Sequence, residues 1–557
     1  MASLQAYQSH GIRYYRIVES FRKDGKPAIR VLAHLGRADD ILQRLQQPAK
    51  QLPLKISSLS AGAVTALHRL ARELDVDGRI DRALAPKLED VQVRAGLRVG
   101  QSLVVGMIAR ACAPRSKRAF TDWANTTYLA ELMQFTPADL TSQHFWDQMN
   151  AVPVAKLAKI EQELVRAVVE REQLQLQALA YDTTNFYTHI ASTNQRPQLP
   201  QRGHNKQGRH DLRQMGLALV VDQETQLPLA HALYEGARSD MKTFAAFLKP
   251  IRQRLQELSG QPAQVTLVFD AGASSQLNLQ GMEQYVTAVR PSYHRALLAE
   301  AAPQLTQVQL SQGTVVRAWR SQRVIAGQAR EVVVVFSPQL YEGQLRGLHQ
   351  AMAKSGRELA QMGGRPGKSV EAIRRKLETI RGHQYLRSLL NYHLEAEPGG
   401  GVQFRVWSER SEYQRLLDSY FGLRILISDR SAWSTAQIIE AYRGQCKAEA
   451  AFRDLKDPGM LSTRPQFHWT DQKLHVHAFM CVTAYLLLTL LHRRAQRLAA
   501  YAGSSRHLLA DLAEVRCCRL IDQTGRKGRP RVRWQLEDLT EERKCLAQVL
   551  GALPDLS

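Results

Sequence analysis

Glu449 is the residue whose surroundings first point to chemistry. It lies in the segment Tyr442–Lys456, YRGQCKAEAAFRDLK, among basic residues and at the edge of an apolar helix face. Lys456 follows Glu449 by about two helical turns and projects from nearly the same side. An acid with bases around it suggests a site that binds a metal ion and a polyanion together. For this segment alone, an amphipathic surface helix with an ion pair between Glu449 and Arg453 is the better interpretation.

Two aspartates elsewhere in the chain favour the metal site. Asp182 lies in the strand-like stretch LQALAYDTTNFYTHI, and Asp270 ends the buried stretch QVTLVFDAGA. Between them the pattern predicts two more strands and the helix DMKTFAAFLKPIRQRLQEL. This order is that of a ribonuclease-H-like core, in which the first and fourth strands are neighbours. We therefore predict an α/β fold in which Asp182 and Asp270 meet.

Three carboxylates that converge on one point suit divalent cations. Carboxylate and water oxygens favour Mg²⁺ or Mn²⁺ over zinc, so we expect two Mg²⁺ (or Mn²⁺) ions held by Asp182, Asp270 and Glu449. Two such ions clamp the attacking and leaving oxygens of an in-line phosphodiester displacement. No serine, cysteine or tyrosine nucleophile is then required.

The composition points to a nucleic-acid partner. The chain has 557 residues, of which 44% are hydrophobic, and a formal net charge of +23. These values are typical of a globular protein that binds a polyanion, for which nucleic acid is the default. Binding to phosphates through basic residues would weaken steeply with salt.

Other features favour a reduced, cytoplasmic, nucleoid-associated protein. The six cysteines show no CxxC pair, which argues against structural zinc and a disulfide framework. The N-terminus lacks the apolar stretch of a signal peptide. The longest apolar run, Ala478–Leu491, is too short to span a bilayer and predicts a buried helix. We therefore expect no membrane partner.

Six regions are predicted along the chain. They are an N-terminal β-hairpin element (1–52), a mainly helical DNA-binding region (53–175), the first part of the core (176–290), an inserted β-rich and mixed subdomain (291–420), the last part of the core (421–500) and a basic C-terminal region (501–557). The hairpin is predicted from alternating runs around Asp24-Gly25. GLRILISD is expected to resume the core as its fifth strand.

The helical region contains a basic loop, ARACAPRSKRAFTDWANTTYLAELM, with Arg110, Lys117, Arg118 and Trp123. DNA binding by this region is one interpretation. A helical domain with a solvated basic loop fits equally well, because no helix-turn-helix spacing is decisive.

Five stretches occur along the chain in a fixed order: YDTTNFYTHI, GHNKQGRHDLRQMGLALVVD, LPLAHALYEGARSD, VFDAGASS and YRGQCKAEAAFRDLKDP. Together they resemble the DDE transposases of bacterial insertion sequences, specifically the insertion-sequence-four superfamily. The second motif of that family contains Asp-x-Gly, which Asp270 and Gly272 match.

The third family motif is Tyr-x-x-Arg-x-x-x-Glu-x6-Lys. Tyr442, Glu449 and Lys456 match it, whereas its arginine position holds Gln445. Arg443 or Lys447, both close to this departure, can supply the missing charge.

The resemblance implies a transposase that binds the terminal inverted repeats of its insertion sequence and target DNA. It implies that Asp182, Asp270 and Glu449 form the catalytic triad and bind metal. Protomers of such enzymes bridge two transposon ends, which implies a homodimer in a synaptic complex.

The resemblance also implies DNA-binding residues. Tyr442 and Lys456 would hold DNA phosphates, and Arg443 and Arg453 are further candidates beside them. In relatives an aromatic side chain of the insertion stacks on a flipped base. Trp319, in VVRAWRSQR, is the nearest candidate, and its alternative is packing within a sheet.

Two other functions remain open from the sequence. One is a two-metal, ribonuclease-H-like DNA nuclease or resolvase without strand transfer, and the other is an inactive DNA-binding derivative. The helical N-terminal region and the large insertion favour a transposase over a simple nuclease. The presence of all three motif acids argues against an inactive derivative.

Overall fold

The structure is a computed structural model. It describes residues 2–23, 26–46, 54–191, 193–203, 208–259, 265–280, 282–362, 369–396, 402–463, 468–522 and 531–556. The chain forms two compact units. The smaller comprises Met1–Ser60, Arg516–Asp538 and Pro554–Ser557, and the larger comprises Ala61–Val515 and Leu539–Leu553.

The smaller unit contains two three-stranded antiparallel sheets and one helix. Its elements are β1 (Ala2–Ser9), β2 (Ile12–Lys23), β3 (Lys26–Gly36), α1 (Ala38–Gln46), β4 (Leu54–Ser60), β18 (Arg516–Asp522) and β19 (Arg531–Leu536). The strand orders are β1-β2-β3 and β19-β18-β4. β2 and β3 pair where the sequence predicts a hairpin, and the turn residues 24–25 lie outside the described residues.

The larger unit begins with helices. They are α2 (Gly62–Glu73), α3 (Val76–Leu84), α4 (Val99–Cys112), α5 (Phe120–Ala124), α6 (Leu129–Met133), α7 (Ser142–Asn150) and α8 (Val154–Glu172), with the short strands β5 (Val93–Arg94) and β6 (Leu97–Arg98) between α3 and α4. Their apolar residues form a buried core that includes Leu67, Ile80 and Leu103.

A nine-stranded mixed sheet follows. Its strands are β7 (Ala178–Thr188), β8 (Arg213–Asp222), β9 (Pro228–Glu235), β10 (Thr266–Phe269), β11 (Tyr285–Val289), β12 (Thr306–Gln309), β13 (Val315–Ile325), β14 (Gln328–Phe336) and β17 (Leu423–Ser428). The spatial order is β12-β13-β14-β17-β11-β10-β7-β8-β9. β10 pairs in parallel with β7 and β11, and the other pairs are antiparallel. The fold is therefore mixed α/β, with the first and fourth strands adjacent.

The fifth strand in chain order differs from the expectation. It is β11, a run of five buried residues that the sequence pattern does not reveal. The predicted fifth strand, GLRILISD, forms β17 and pairs antiparallel with β11 instead of following β10. Strands β12–β14, from the predicted insertion, continue the same sheet rather than forming a separate one.

The rest of the predicted insertion has a core of its own. Its elements are α12 (Pro338–Met362), α13 (Val370–Arg381), α14 (Leu386–Leu389), β15 (Leu390–Ala396), β16 (Val402–Ser408) and α15 (Arg410–Ser419). Buried residues from all of the helices, such as Leu348, Leu377 and Leu416, form one cluster.

The remaining helices cover the sheet or close the unit. They are α9 (Asp240–Ser259), α10 (Gln276–Leu279), α11 (Arg295–Ala301), α16 (Thr435–Arg443), α17 (Cys446–Lys456), α18 (Asp471–Ala499), α19 (Ser505–Ala513) and α20 (Glu541–Val549). Among the described residues, α18 is the one helix long and apolar enough to cross a membrane. The helix is therefore longer than the apolar run Ala478–Leu491, which by itself is too short to span a bilayer. Because 89% of its apolar window is buried, α18 serves here as a core helix.

A buried ion network joins α8 to β9 and α9. Glu161 is 5% exposed and accepts hydrogen bonds from Nη2 of Arg254 at 2.8 Å and from Nδ1 of His231. Burial acts to raise the pKa of Glu161, but the charges and hydrogen bonds of His231 and Arg254 outweigh it and hold the pKa below its ordinary value of 4.5. The carboxylate is therefore ionised inside the fold.

Glu161→Gln is expected to lower the free energy of unfolding by about 3–5 kcal/mol at neutral pH, because Arg254 is left buried without its counter-ion. Since the folded-state pKa of Glu161 lies below 4.5, its contribution is complete above that pH and is lost as the pH falls through the folded-state pKa. Urea unfolding of the parent and of Glu161→Gln, at pH values from neutral to below 4.5, measures the difference between their free energies of unfolding. This difference should become smaller at acid pH.

The matched control is Glu163→Gln on the same helix, whose partially exposed pair with Lys159 spans 4.0 Å. Its cost should stay within about 0.5 kcal/mol. Equal costs for the two variants would contradict the buried network.

Candidate active site

Helices α16 and α17 carry the Tyr442–Lys456 segment. The sequence pattern predicts one continuous helix, whereas the structure breaks it after α16. At the break, a Cβ on Gly444 would lie 2.2 Å from Oε1 of Gln223, just beyond β8. The Gln223 amide donates to the carbonyl of Ala441 at 2.9 Å. Glycine therefore permits the close approach between this joint and the end of β8.

The break directs the two helices to different parts of the large sheet. α16 packs against β10, β11, β14 and β17, whereas α17 packs against β7 and β8. Ser434 caps α16 by accepting a hydrogen bond from the N–H of Gln437 at 3.2 Å. Residues of α16 therefore lie over β10, and residues of α17 lie over the neighbouring strand β7.

The parallel pairing of β10 with β7 brings Asp182 and Asp270 together. Thr266 pairs with Ala178, and Val268 pairs with Ala180. The same offset, continued by two residues, places Asp270 opposite Asp182. Neighbouring strands lie about 4.8 Å apart and aligned residues project to the same face. The predicted meeting of these two residues therefore agrees with the register.

Alternate residues of β7 share a face, so Asp182, Thr184 and Phe186 project to the same side. On α17, Lys456 donates a hydrogen bond to Oγ1 of Thr184. The Lys456 ammonium also lies 5.3 Å from the ring centroid of Phe186. α17 therefore covers the face of β7 from which Asp182 projects.

Tyr442 connects α16 to Asp270. Its side chain is 8% exposed, and its hydroxyl donates a hydrogen bond to Oδ1 of Asp270 at 2.9 Å. Burial is the largest cause that raises the pKa of Tyr442, and the charges of Asp270 and Glu449 add to it. The hydroxyl therefore stays protonated as a donor.

Arg424 is a site residue that motif matching does not find. Its guanidinium lies 5.2 Å from the ring centroid of Tyr442, and its charge opposes the rise in that pKa. Arg424 is exposed in β17, between buried neighbours. An arginine inside the otherwise apolar run LRILIS is the signal in the sequence.

The other predicted DNA-binding residues on these helices differ in accessibility. Arg443 and Arg453 are exposed, and Lys456 is half-buried by its contacts with β7. Glu449 is exposed and forms no ion pair with Arg453, so the alternative interpretation of α17 lacks its salt bridge. Gln445, at the motif arginine position, is buried, so an exposed neighbour such as Arg443 is better placed to meet a phosphate.

Trp319 lies in β13, in the part of the predicted insertion that joins the large sheet. It pairs with Val334 and is half-buried, with the guanidinium of Arg323 lying 5.4 Å from its ring centroid. This environment matches packing within a sheet. Trp407, in β16, is 42% exposed and is the more accessible indole of the same region.

The donor chemistry of the site fits a divalent cation, because carboxylate oxygens are the ligands that Mg²⁺ and Mn²⁺ prefer. Among the described residues, no group of three or more histidine, cysteine, aspartate and glutamate side chains is close enough to hold a metal ion. Within the described residues, Glu449 is therefore not gathered with the two aspartates into one cluster.

Comparisons with known proteins identify the family. Residues 174–487 match the family model described as the transposase DDE domain, and residues 6–63 match that of the IS1634 family transposase N-terminal domain. A cryo-EM structure of a piggyBac transposase synaptic complex with hairpin DNA is similar at 10% identity and a TM-score of 0.38, over 81% of this chain and 79% of that chain. No curated protein matches the chain.

The DDE-domain match covers more than half of the chain and confirms the resemblance found in the sequence motifs. The chain therefore belongs to the DDE transposases of bacterial insertion sequences and is an enzyme that cleaves DNA and transfers its strands.

Proposed function

We propose that Asp182, Asp270 and Glu449 are the catalytic residues with which this transposase cleaves the ends of its insertion sequence and joins them to target DNA. The observation that carries the proposal is the register of β10 on β7, which aligns the two aspartates on one face. Tyr442 supports the assignment of Asp270, because its buried hydroxyl donates a hydrogen bond to that carboxylate.

Asp182 and Asp270 would hold divalent metal, with Glu449 completing the site; two Mg²⁺ or Mn²⁺ ions are proposed. When bound, such ions activate the attacking oxygen and stabilise the leaving oxygen of a phosphodiester. Tyr442 is proposed as a positioning residue, because its buried hydroxyl is already engaged by Asp270 and so is poorly placed to grip a phosphate.

The strand order supports a ribonuclease-H-like core. The run β9-β8-β7-β10-β11 contains three antiparallel strands followed by two that are parallel to the first. The separate core of α12–α15 supports an inserted subdomain in the later part of the predicted range 291–420, whereas β12–β14 from its earlier part belong to the large sheet.

DNA would be held by exposed basic residues around the carboxylates. Arg443 and Arg453 flank Glu449 along the α16–α17 segment, and Arg424 lies beside Tyr442. Lys456 would contribute through its charge near β7. The net charge of +23 supports binding of DNA phosphates. The proposal includes terminal inverted repeats and target DNA as the bound DNA, and a homodimer in a synaptic complex in the cytoplasm as the active form.

Strand transfer is tested by incubating the protein with DNA that carries the element's ends and a supercoiled target. Products in which an element end is joined to target DNA are expected. Cleaved ends without joined products would contradict the transposition reaction.

Asp182→Ala, Asp270→Ala and Glu449→Gln are each expected to abolish cleavage of end-containing DNA, because each removes a proposed metal ligand. Binding to the same DNA in EDTA should remain, since it depends on basic residues. Gel assays measure both quantities for each variant.

Asp211→Ala is the matched control, because that aspartate is exposed and pairs locally with Arg209. It should cleave as the parent does. Retained cleavage in all three carboxylate variants would refute the site.

Tyr442→Phe removes one hydroxyl and its hydrogen bond to Asp270. Outer partners of metal ligands typically contribute about 10- to 100-fold to metal affinity or activity. We expect the Mg²⁺ concentration for half-maximal cleavage to rise by about tenfold. Tyr293→Phe, at a tyrosine that is 76% exposed, is the control. An unchanged Mg²⁺ requirement in Tyr442→Phe would show that the hydroxyl does not position Asp270.

A further inference from the structure

The basic loop of the helical region borders a large cavity of the larger unit. The cavity has a volume of about 750 Å³ and lies between α4, α7, the loop after β7 and the start of α18. Its lining includes Arg110, Lys117, Arg118, Trp146, Arg196 and Trp469. None of the described lining residues is acidic.

Three cations around this cavity donate hydrogen bonds to neutral groups rather than to carboxylates. Arg110 donates to the carbonyl of Ser462 at 3.2 Å, and Lys117 donates to Nε2 of His468 at 2.8 Å. Lys473, which is 3% exposed, donates to Asn150 at 3.0 Å. All three acceptors are neutral. Buried cations are ordinarily paired with acids, so this cluster is suited to an anion from outside the chain.

His468 gives a second, independent sign of a ligand. It lines the cavity, is 8% exposed, and accepts from Lys117 through Nε2. Burial lowers the pKa of His468 well below its ordinary value, and the neighbouring cations add to this, so the ring is neutral with its proton on Nδ1. That buried Nδ1 has no hydrogen-bond partner among the described residues. Burial, with Arg110 adding, also lowers the pKa of Lys117 to about 8, which leaves the lysine charged at neutral pH.

Two indoles give the cavity flat apolar surfaces. The ring of Trp469 is 52% exposed and its centroid lies 5.4 Å from that of Trp146. Trp146 stacks on His468, with an interplanar angle of 11°, and the Lys473 ammonium lies 4.0 Å from its ring centroid. In proteins that bind single-stranded nucleic acid, aromatic rings stack on the bases while neighbouring cations bind the phosphates, and an exposed indole beside cations provides both groups.

The cavity is connected to the candidate active site through the segment after α17. The N–H of Thr463 donates to the carbonyl of Leu455 at 2.8 Å, on the last turn of α17. Arg110 holds the adjacent Ser462. A ligand that contacts Arg110 in the cavity would therefore also influence Ser462 and Thr463, which follow α17 and Lys456 in the chain.

We propose that this cavity binds an unpaired nucleotide of a DNA strand, with the base against Trp469 and Trp146 and the flanking phosphates near Arg118 and Arg196. The proposal rests on the proposed function, since it assumes that DNA is the substrate. A cavity of about 750 Å³ has room for a nucleotide, whereas a phosphate ion would leave the exposed surface of Trp469 uncovered. A paired base presents no free face to stack upon, so the site selects single strands.

Fluorescence anisotropy with a labelled oligothymidylate and the full-length protein tests the proposal, with a duplex of equal length as reference. EDTA is present, so cleavage does not occur. Trp469→Ala should lower the ratio of single-strand to duplex affinity by about tenfold, the effect typical of one lost stacking contact. Trp469→Phe, which keeps an aromatic face, should lose less.

The arginines have a separate signature. Arg118→Ala and Arg196→Ala, both at exposed positions, should each reduce the salt slope of single-strand binding by about 0.7 if one phosphate contact is lost. Arg357→Ala, an exposed arginine of α12, is the matched control and should leave the slope as it is.

A 5-iodouracil oligonucleotide provides a direct readout. Photocrosslinks should map by mass spectrometry to the peptides that contain Trp146 or Trp469. Crosslinks confined to other peptides, or equal losses of single-strand and duplex binding in Trp469→Ala, would overturn the proposal. Competition by inorganic phosphate as strong as that by an added nucleotide strand would reduce the cavity to an anion site and overturn it as well.

Failure here and failure of the catalytic proposal are distinguishable. Strand binding is measured without metal and without cleavage, so it does not depend on Asp182, Asp270 or Glu449. Cleavage that survives substitution of those carboxylates would leave the binding result unchanged.

Discussion

The parallel pairing of β10 with β7 is the interaction on which the site depends. β10 has only four residues, all buried, and its register against β7 fixes where Asp270 emerges relative to Asp182. A slip of one residue would turn one carboxylate to the opposite face of the sheet. The buried pairs on both sides of β10, to β7 and β11, hold this register. The backbone hydrogen bonds between β7 and β10 therefore set the relative positions of Asp182 and Asp270, which are far apart in the sequence.

The joint at Gly444 is the second constraint. The break accompanies a change of packing partners, from β10, β11, β14 and β17 for α16 to β7 and β8 for α17. The break lets Tyr442 reach Asp270 from α16, while Lys456 reaches Thr184 from α17. Residues that look equivalent in a helical motif therefore have different roles. Tyr442 is buried against a carboxylate, whereas Glu449 and Arg453 face outward.

The sequence predicts the parts of this arrangement that have a strong local pattern. Strands β7 and β10 are recoverable because Asp182 and Asp270 interrupt apolar runs, and the family motif then adds Glu449. β11 is too short to show a period, and the entry of β12–β14 into the large sheet depends on long-range pairing. The break between α16 and α17 is not evident from the sequence, because the segments on both sides of Gly444 have residues typical of helices. The basic loop has no local feature to show that Lys117 and His468 meet.

The position of β17 in the sheet has a consequence for how the enzyme is made. β17 lies between β14 and β11, so the sheet becomes continuous only after residue 428 has left the ribosome. α16 and α17 follow later still. A nascent chain can align its two aspartates early, yet it lacks Glu449 and the helices that cover them. Such long-range closure is a slow step in folding. Closure of the sheet and coverage of the two aspartates therefore come only after most of the chain has been synthesised.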